Sequence, residues 1–207
     1  MTQAQEKVQL IYVGDPMCSW CYGIAPELNK VMEHYGDNLE VELVLGGLRP
    51  YNQESILSLK EFLTHHWDDV AKASGQKFNY EILNRGDITY DTEPPSRATI
   101  VAREMDPSKE IKFFKECQIA FYSENKNMHL AESYHSILEE LDLDIPTFDA
   151  YFNSDEMKTR VKNDFMKASK MGVRGFPTLV LVENGQYIQI ANGFAKAENI
   201  IQSISKR

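Results

Sequence analysis

Cysteine is scarce in this chain of 207 residues, which contains only three. So small and odd a number excludes a small secreted fold cross-linked by disulfides. Basic residues are also fewer than acidic ones, since 22 Lys and Arg against 31 Asp and Glu leave a formal charge of −9. The basic surface that binds phosphate backbones is therefore not expected, and neither is a nucleic-acid partner.

Long apolar segments are lacking as well. No stretch approaches the roughly 18 consecutive apolar residues that span a membrane. The chain starts with polar residues, where a secretory signal would begin basic and continue apolar. We therefore expect a cytoplasmic protein with no membrane partner. In that reducing compartment a cysteine pair is more often chemically active than structural.

The hydrophobic pattern predicts a β-α-β opening. Residues 8–13 form a short β-branched and aromatic run that ends in Gly-Asp-Pro, which is typical of a buried strand. Apolar residues then recur at helical spacing from Ile24 to Tyr35, and Gly36 is a fitting helix stop. Residues 39–45 alternate and then become wholly apolar, which predicts a second strand.

The middle of the chain, from Glu54 to about Met171, is predicted to be almost entirely helical. Ser96 is expected to cap one helix, Asp106 with Pro107 to open the next, and Ser154 to cap the last.

The final part of the chain returns to strands at residues 178–182 and 187–190. Asn184 and Gly185 lie between them, and Asn-Gly between two β runs predicts a hairpin. A short amphipathic helix is expected to follow.

Two cysteines, Cys18 and Cys21, lie in a Cys-x-x-Cys motif between the first predicted strand and the first predicted helix. A thiol in the first helical turn faces unpaired backbone N–H groups and the positive end of the helix dipole, which favour the thiolate. Cys18, nearer the helix start, is the predicted nucleophile. Cys21, one turn later, is the predicted resolving thiol, which releases the substrate from Cys18.

The same spacing also occurs in zinc sites and in structural disulfides. A zinc site would need a second pair of ligands, and the chain offers no such motif. The third cysteine, Cys117, has aromatic residues three and four positions away on a predicted helix, so we expect it to pack in the core. We therefore predict no metal.

A second informative motif is Gly175-Phe176-Pro177-Thr178, directly before the predicted hairpin. Proline is tolerated at the first position of a strand because the backbone N–H that it lacks is not needed there for pairing with a neighbouring strand. Local sequence alone does not decide whether the Phe176–Pro177 bond is cis or trans, since only about 5% of X-Pro bonds in folded proteins are cis.

With both motifs in place, the chain resembles the thioredoxin superfamily, and specifically the FrnE-like cytosolic branch of the DsbA family. The resemblance covers essentially the whole chain, and residues 17–23, 45–50 and 92–97 carry its most distinctive stretches. It implies an α/β fold with a thioredoxin-like domain at residues 1–52 and 153–207 and an inserted helical domain at residues 53–152.

The resemblance further implies a thiol–disulfide oxidoreductase or isomerase in which Cys18 attacks, Cys21 resolves, and a cis Pro177 packs beside the sulfurs. Phe176 would offer its backbone to an extended substrate, with Gly175 and Thr178 in the same groove. The implied substrates are protein or small-thiol disulfides. No bound cofactor is implied, and glutathione or a thioredoxin-type reductant is a possible electron partner. Pro26 is expected to kink the first helix rather than end it.

Weaker signals leave alternatives open. Trp20 and Phe176 can form an apolar platform for substrate or simply pack against the helix end. Asp15 is expected to serve the turn rather than accept a proton from Cys21, and Arg97 to be a solvated charge rather than an anchor for an acidic substrate group. The adjacent histidines, His65 and His66, fit a helix surface because they point about 100° apart.

Two other functions remain open. One is a non-catalytic module that binds client chains or senses redox state. The other is a glutathione-dependent isomerase or transferase on the same scaffold. Relatives of the kappa class, which have that activity, carry serine where this chain has Cys18.

Overall fold

The computed structural model describes residues 7–206, so the polar residues 1–6 on which the localisation prediction rests lie outside the described part. A four-stranded mixed sheet has the order β2-β1-β3-β4. β1 (Val8–Gly14) pairs in parallel with β2 (Leu39–Leu45), while β3 (Thr178–Glu183) pairs antiparallel with both β1 and β4 (Gln186–Asn192).

The β3–β4 connection is the predicted Asn-Gly hairpin. Asn184 and Gly185 have φ values of 49° and 75°. Two consecutive left-handed residues give a turn whose twist matches that of the flanking strands. The hairpin therefore forms for the reason that the sequence suggests.

The first helix, α1 (Ser19–Tyr35), carries the chain from β1 to β2. Pro26 lies inside α1, which continues past it as expected. The helix ends at Gly36, whose φ of 50° places it in the left-handed region that glycine adopts without a steric cost.

The remaining helices fill the middle and the end of the chain. They are α2 (Lys60–Ser74), α3 (Glu93–Met105), α4 (Glu110–Tyr122), α5 (His135–Glu140), α6 (Ile145–Phe152), α7 (Asp155–Lys170) and α8 (Ala197–Ser205). Short 3-10 helices precede or join several of them, at Gly36–Asn38, Leu57–Leu59, Tyr80–Asn84, Pro107–Lys109 and Ala131–Tyr134.

The predicted cap of α3 is wrong. The helix begins at Glu93, one turn before Ser96, and the buried Ser96 hydroxyl has no hydrogen-bond partner within residues 7–206. The two prolines that follow Glu93 fit this earlier start, because the N–H groups of a first helical turn need no intrahelical acceptor. By contrast, the Ser154 hydroxyl accepts from Met157 N at 3.3 Å and caps α7 as predicted.

The sequence pattern missed α6. This helix has only eight residues, and its start is set by the Asp144 carboxylate, which accepts from Thr147 N at 2.9 Å. Its buried side chains, Phe148 and Phe152, pack with Tyr134 through ring contacts of 5.5 and 5.6 Å between centroids.

Buried side chains cover both faces of the sheet. The larger core joins one face to the helices of the middle region, for example through Tyr12 of β1 and Phe114 of α4, whose ring centroids are 5.7 Å apart. A smaller cluster on the other face includes Ile11, Val13 and Val180. The division into domains at residues 52 and 153 stays a prediction. Within residues 7–206, no helix has both the length and the apolar character that a membrane crossing requires.

Candidate active site

The two cysteines of the motif meet at the start of α1. Cys18 is the N-cap residue, and its sulfur accepts a hydrogen bond from the backbone N–H of Cys21 at 3.4 Å. That amide belongs to the first turn, where no intrahelical acceptor is available. Both residues are free thiols and both are buried, with exposed fractions of 4% for Cys18 and 0% for Cys21.

The Gly-Phe-Pro-Thr motif lies directly against this sulfur. The Phe176–Pro177 peptide bond is cis, and the Cys18 thiol donates to the Phe176 carbonyl oxygen at 3.6 Å. The sheet register explains the contact, since Val13 at the end of β1 pairs with Thr178 at the start of β3. Two motifs far apart in sequence therefore share one end of the sheet.

Tight packing holds the Phe176 ring in place. A Cβ added to Gly46, just after β2, would lie 2.0 Å from the Phe176 ring, a distance that real atoms do not reach. Gly46 N also donates to the Gly14 carbonyl at 2.8 Å. The glycine thus allows the β2 loop to approach both the end of β1 and the ring. Within the Gly-Phe-Pro-Thr motif itself, Thr178 Oγ1 donates to the Gly175 carbonyl at 2.8 Å and closes the turn before β3.

A groove opens beside Cys18, with about 560 Å³ of space between its walls, part of it open to solvent. Trp20 and Phe176, the two aromatic residues predicted near the sulfurs, both line it. The residues that complete the lining are Cys18, Ser19, Leu48, Arg49, Phe62, Leu63, His66 and Tyr90.

Sequence reasoning missed most of these groove residues, among them Arg49, Phe62, His66 and Tyr90. They come from the loop after β2, from α2 and from the loop before α3, so only the folded chain brings them together. A partial signal existed for Arg49, which lies in one of the stretches that carry the family resemblance. The sequence predicts His66 on a helix surface, and it is exposed there, but it also lines the groove.

Asp15 is a buried carboxylate that builds the turn before Cys18. Its two oxygens accept from Met17 N at 2.9 Å and from Leu48 N at 2.7 Å, which ties the turn to the loop after β2. This confirms the predicted turn role. Burial raises the pKa of Asp15 to about 6, although both of these hydrogen bonds oppose the rise. The alternative role of Asp15, as proton acceptor for Cys21, stays a hypothesis.

Cys21 and Tyr12 have their pKa values raised mainly by burial. For Cys21, the neighbouring Cys18 thiol adds to the rise, and the nearby Asp15 carboxylate contributes in the same direction through its charge. For Tyr12, Cys21 is the strongest influence after burial. The buried thiol of Cys21 is therefore held protonated in the dithiol state.

Two buried tyrosines near the thiols differ in their hydrogen bonding. The Tyr90 hydroxyl donates to the Met17 carbonyl at 2.6 Å and so supports the turn that leads into Cys18. The Tyr12 hydroxyl is buried beside the Cys21 thiol and bonds to no carbonyl within residues 7–206. Tyr90 thus links the middle region of the chain to the active-site turn.

The prediction that Arg97 is a solvated charge is wrong. This residue is buried, with only 8% of its surface exposed. Its guanidinium forms an ion pair with Glu93 at 2.9 Å, donates to the Phe152 carbonyl and lies 4.4 Å from the centre of the Phe152 ring. These contacts join α3 to α6, and Arg97 is not among the residues that line the groove.

Cys117 is buried on α4, with 1% exposed, which agrees with a packing role. Among residues 7–206, no group of three or more His, Cys, Asp or Glu side chains is arranged to hold a metal ion.

Comparison with known proteins identifies the family. The model of the thioredoxin family matches residues 11–196, and no curated protein sequence matches the chain. A candidate protein disulfide isomerase from Nitrosomonas europaea has a similar structure, with 30% identity, 97% of each chain covered and a TM-score of 0.86. The chain belongs to the thioredoxin family, and its structure resembles those of DsbA-type oxidoreductases.

Three further structures, of two proteins, are also similar to this one. The cytosolic disulfide reductase DsbM from Pseudomonas aeruginosa is 25% identical, with 88% of this chain and 89% of DsbM covered and a TM-score of 0.76. DsbM has also been solved with GSH, and that structure gives a TM-score of 0.70. A DsbA-type oxidoreductase from Streptomyces coelicolor shares the fold at 17% identity, with 96% and 89% covered and a TM-score of 0.77. The Nitrosomonas europaea protein and DsbM support thiol–disulfide redox chemistry as the class of activity.

Proposed function

We propose that the protein reduces or rearranges disulfides by cycling Cys18 and Cys21 between a dithiol and a disulfide. The observation that carries the proposal is the place of Cys18, whose sulfur lies between the Cys21 amide and the Phe176 carbonyl at the wall of an open groove. A substrate disulfide that enters this groove meets Cys18 first, since Cys21 is fully buried.

The reaction has two exchange steps. The Cys18 thiolate attacks one sulfur of the substrate disulfide, so a mixed disulfide forms and the first substrate thiolate leaves. Cys21 then attacks the Cys18 sulfur, which closes the Cys18–Cys21 disulfide and releases the second thiolate. The dithiol loses two electrons, the substrate disulfide gains them, and the two thiol protons end on the released thiols.

The first-turn amide assists the first step. The N–H of Cys21 already points at the Cys18 sulfur, and a hydrogen bond to an ionised acceptor is stronger than one to a neutral acceptor. The amide therefore stabilises Cys18 more as a thiolate than as a thiol. The second step needs a proton to leave Cys21, and the nearby Asp15 carboxylate is the group that we propose accepts it.

The segment around the cis proline is proposed to hold the substrate chain. Pro177 has no N–H, and the Phe176 carbonyl faces Cys18, so an extended peptide can donate a backbone hydrogen bond beside the sulfur. Gly175 and Thr178 fix the shape of this segment, while Trp20 and Phe176 provide apolar surface on the groove wall.

We also propose reduction in the cytoplasm as the working direction, with glutathione or a thioredoxin-type protein as the electron donor. The support is the likeness to DsbM, which is a cytosolic disulfide reductase and has been solved with GSH. Protein disulfides and small-thiol disulfides are both substrates under this proposal.

Turnover of insulin disulfides with glutathione as reductant tests the proposal. The native protein is expected to accelerate reduction, and Cys18→Ala to abolish that acceleration. Cys117→Ala is the matched control, because it removes the third thiol, which is buried on α4 away from the groove. Equal rates for native protein and Cys18→Ala would refute the proposal.

A further inference from the structure

The side chains that line the groove beside Cys18 do not share the negative charge of the chain as a whole. Arg49 is one of its walls, and no acidic side chain is among the described residues that line it. The chain as a whole carries a formal charge of −9. A permanent cation within the same groove as the nucleophilic sulfur is therefore a local exception to the charge of the molecule.

The backbone of Arg49 is fixed on both sides. Arg49 N donates to the Thr92 hydroxyl at 3.1 Å, and Thr92 N donates to the Arg49 carbonyl at 3.2 Å. Thr92 is itself fully buried. The start of the arginine side chain is thus anchored to the segment that opens α3.

Aromatic rings orient the rest of the side chain. The guanidinium carbon lies 5.8 Å from the centre of the Phe62 ring and 5.9 Å from that of Tyr90, and both rings line the groove. Among the described residues, the guanidinium has one acidic partner, Glu54, at 3.2 Å. Glu54 is more than half exposed, with 57% of its side chain accessible, so water competes for this ion pair and an incoming carboxylate can replace it.

We propose that Arg49 binds a carboxylate of a small disulfide substrate and so selects small-thiol disulfides that carry an acidic group. The planar guanidinium offers parallel N–H donors that match the two oxygens of a carboxylate. Arg49 and Cys18 both line this groove, so one small ligand can contact both. This inference rests on the proposed function and adds the substrate class to it.

A single-turnover experiment tests the subsite without an external reductant. Reduced protein is mixed with either glutathione disulfide, which carries carboxylates, or 2-hydroxyethyl disulfide, which is neutral. Acid quenching and thiol alkylation then give a second-order rate constant for each probe. The readout is the ratio of the two rate constants, which cancels any general change in the reactivity of Cys18.

Three variants give different expected ratios. Arg49→Gln is expected to lower the ratio of the glutathione disulfide rate to the neutral rate about five- to tenfold. Glu54→Gln removes the competing carboxylate and is expected to raise the ratio about twofold. Arg85→Gln is the matched control, since Arg85 is also in an exposed ion pair but does not line the groove, and its ratio is expected to stay at the native value.

The outcomes separate the two proposals. A native protein that reacts with neither disulfide would overturn the proposed function. A native protein that reacts with both, together with an unchanged ratio in Arg49→Gln, would overturn the carboxylate subsite alone. Glu54 is on the surface, so Glu54→Gln keeps the subsite testable if Arg49→Gln does not fold, and a ratio that fails to rise would then count against it.

Discussion

The Cys18 thiol donates a hydrogen bond to the carbonyl oxygen of Phe176 at 3.6 Å, across a separation of 158 positions in the chain. The antiparallel pairing of β1 with β3 creates this contact, because it places the end of one strand beside the start of the other. Groups that pack behind these two residues should therefore affect the thiol chemistry without touching a substrate.

Removing the hydroxyl of Tyr90 should lower the stability of the folded protein. Tyr90→Phe leaves the Met17 carbonyl without the donor that now lies at 2.6 Å, and an unpaired buried acceptor costs about 1–3 kcal/mol. We expect the free energy of unfolding, measured by urea denaturation, to fall by that amount.

Tyr12→Phe is the matched control for this prediction. Tyr12 is also a buried tyrosine near the thiols, but its hydroxyl has no carbonyl partner to lose and lies beside the weakly hydrogen-bonding Cys21 thiol instead. Its unfolding free energy is expected to stay within about 0.5 kcal/mol of the native value or to rise. An equal loss of unfolding free energy in the two variants would contradict the stabilising role of the Tyr90–Met17 hydrogen bond.

Filling the space at Gly46 should disturb the site through Phe176. The added methyl of Gly46→Ala would overlap the Phe176 ring, so the ring and the carbonyl beside Cys18 must shift. Overpacking of this kind costs about 1–3 kcal/mol. We expect that loss of stability together with a severalfold slower reaction of Cys18 with disulfides.

Gly86→Ala serves as the comparison, since its added methyl would meet only the end of the exposed Leu57 side chain, at 3.3 Å. Stability and reaction rate should both remain near the native values. If Gly46→Ala behaved in the same way as Gly86→Ala, the packing of Phe176 would not matter for the thiol.

Asp15 should give the protein a specific dependence on pH. Its carboxyl has a pKa of about 6 in the folded chain and near 3.8 when unfolded, so between these pH values the folded state binds more protons. Unfolding then releases a proton, and the free energy of unfolding falls as pH rises from about 4 to about 6. The expected fall is about 2–3 kcal/mol.

Asp15→Asn cannot titrate, so this part of the pH dependence should disappear from its urea-denaturation series. Glu110, whose pKa is raised to about 7 by burial, contributes a similar fall in both proteins. The difference between the two curves therefore isolates Asp15. Parallel curves from pH 4 to 7 would show that Asp15 has an ordinary pKa.

Local signals in the sequence predicted much of the fold. The Asn184–Gly185 turn, the Gly36 stop and the Ser154 cap each depend on a few neighbouring residues, and all three form as expected. The cap assigned to Ser96 was wrong because two prolines can occupy a first helical turn, which moved the helix start to Glu93.

The groove was only partly predictable. Cys18 and the Phe-Pro segment belong to recognisable motifs, whereas Arg49, His66 and Tyr90 come from three separate segments whose meeting depends on tertiary packing. Arg97 shows the same limit, since its partner Phe152 lies on α6, a helix too short for its periodicity to be noticed.

Trapping of the mixed disulfide tests the central claim most directly. In Cys21→Ala the second exchange step is blocked, so a substrate thiol attached by the first step should remain on the protein. Mass spectrometry after reaction with glutathione disulfide is expected to find one glutathione on Cys18, and Cys18→Ala is expected to carry none on Cys21. An adduct that forms preferentially on Cys21, or none on Cys18, would contradict the assignment of Cys18 as the nucleophile.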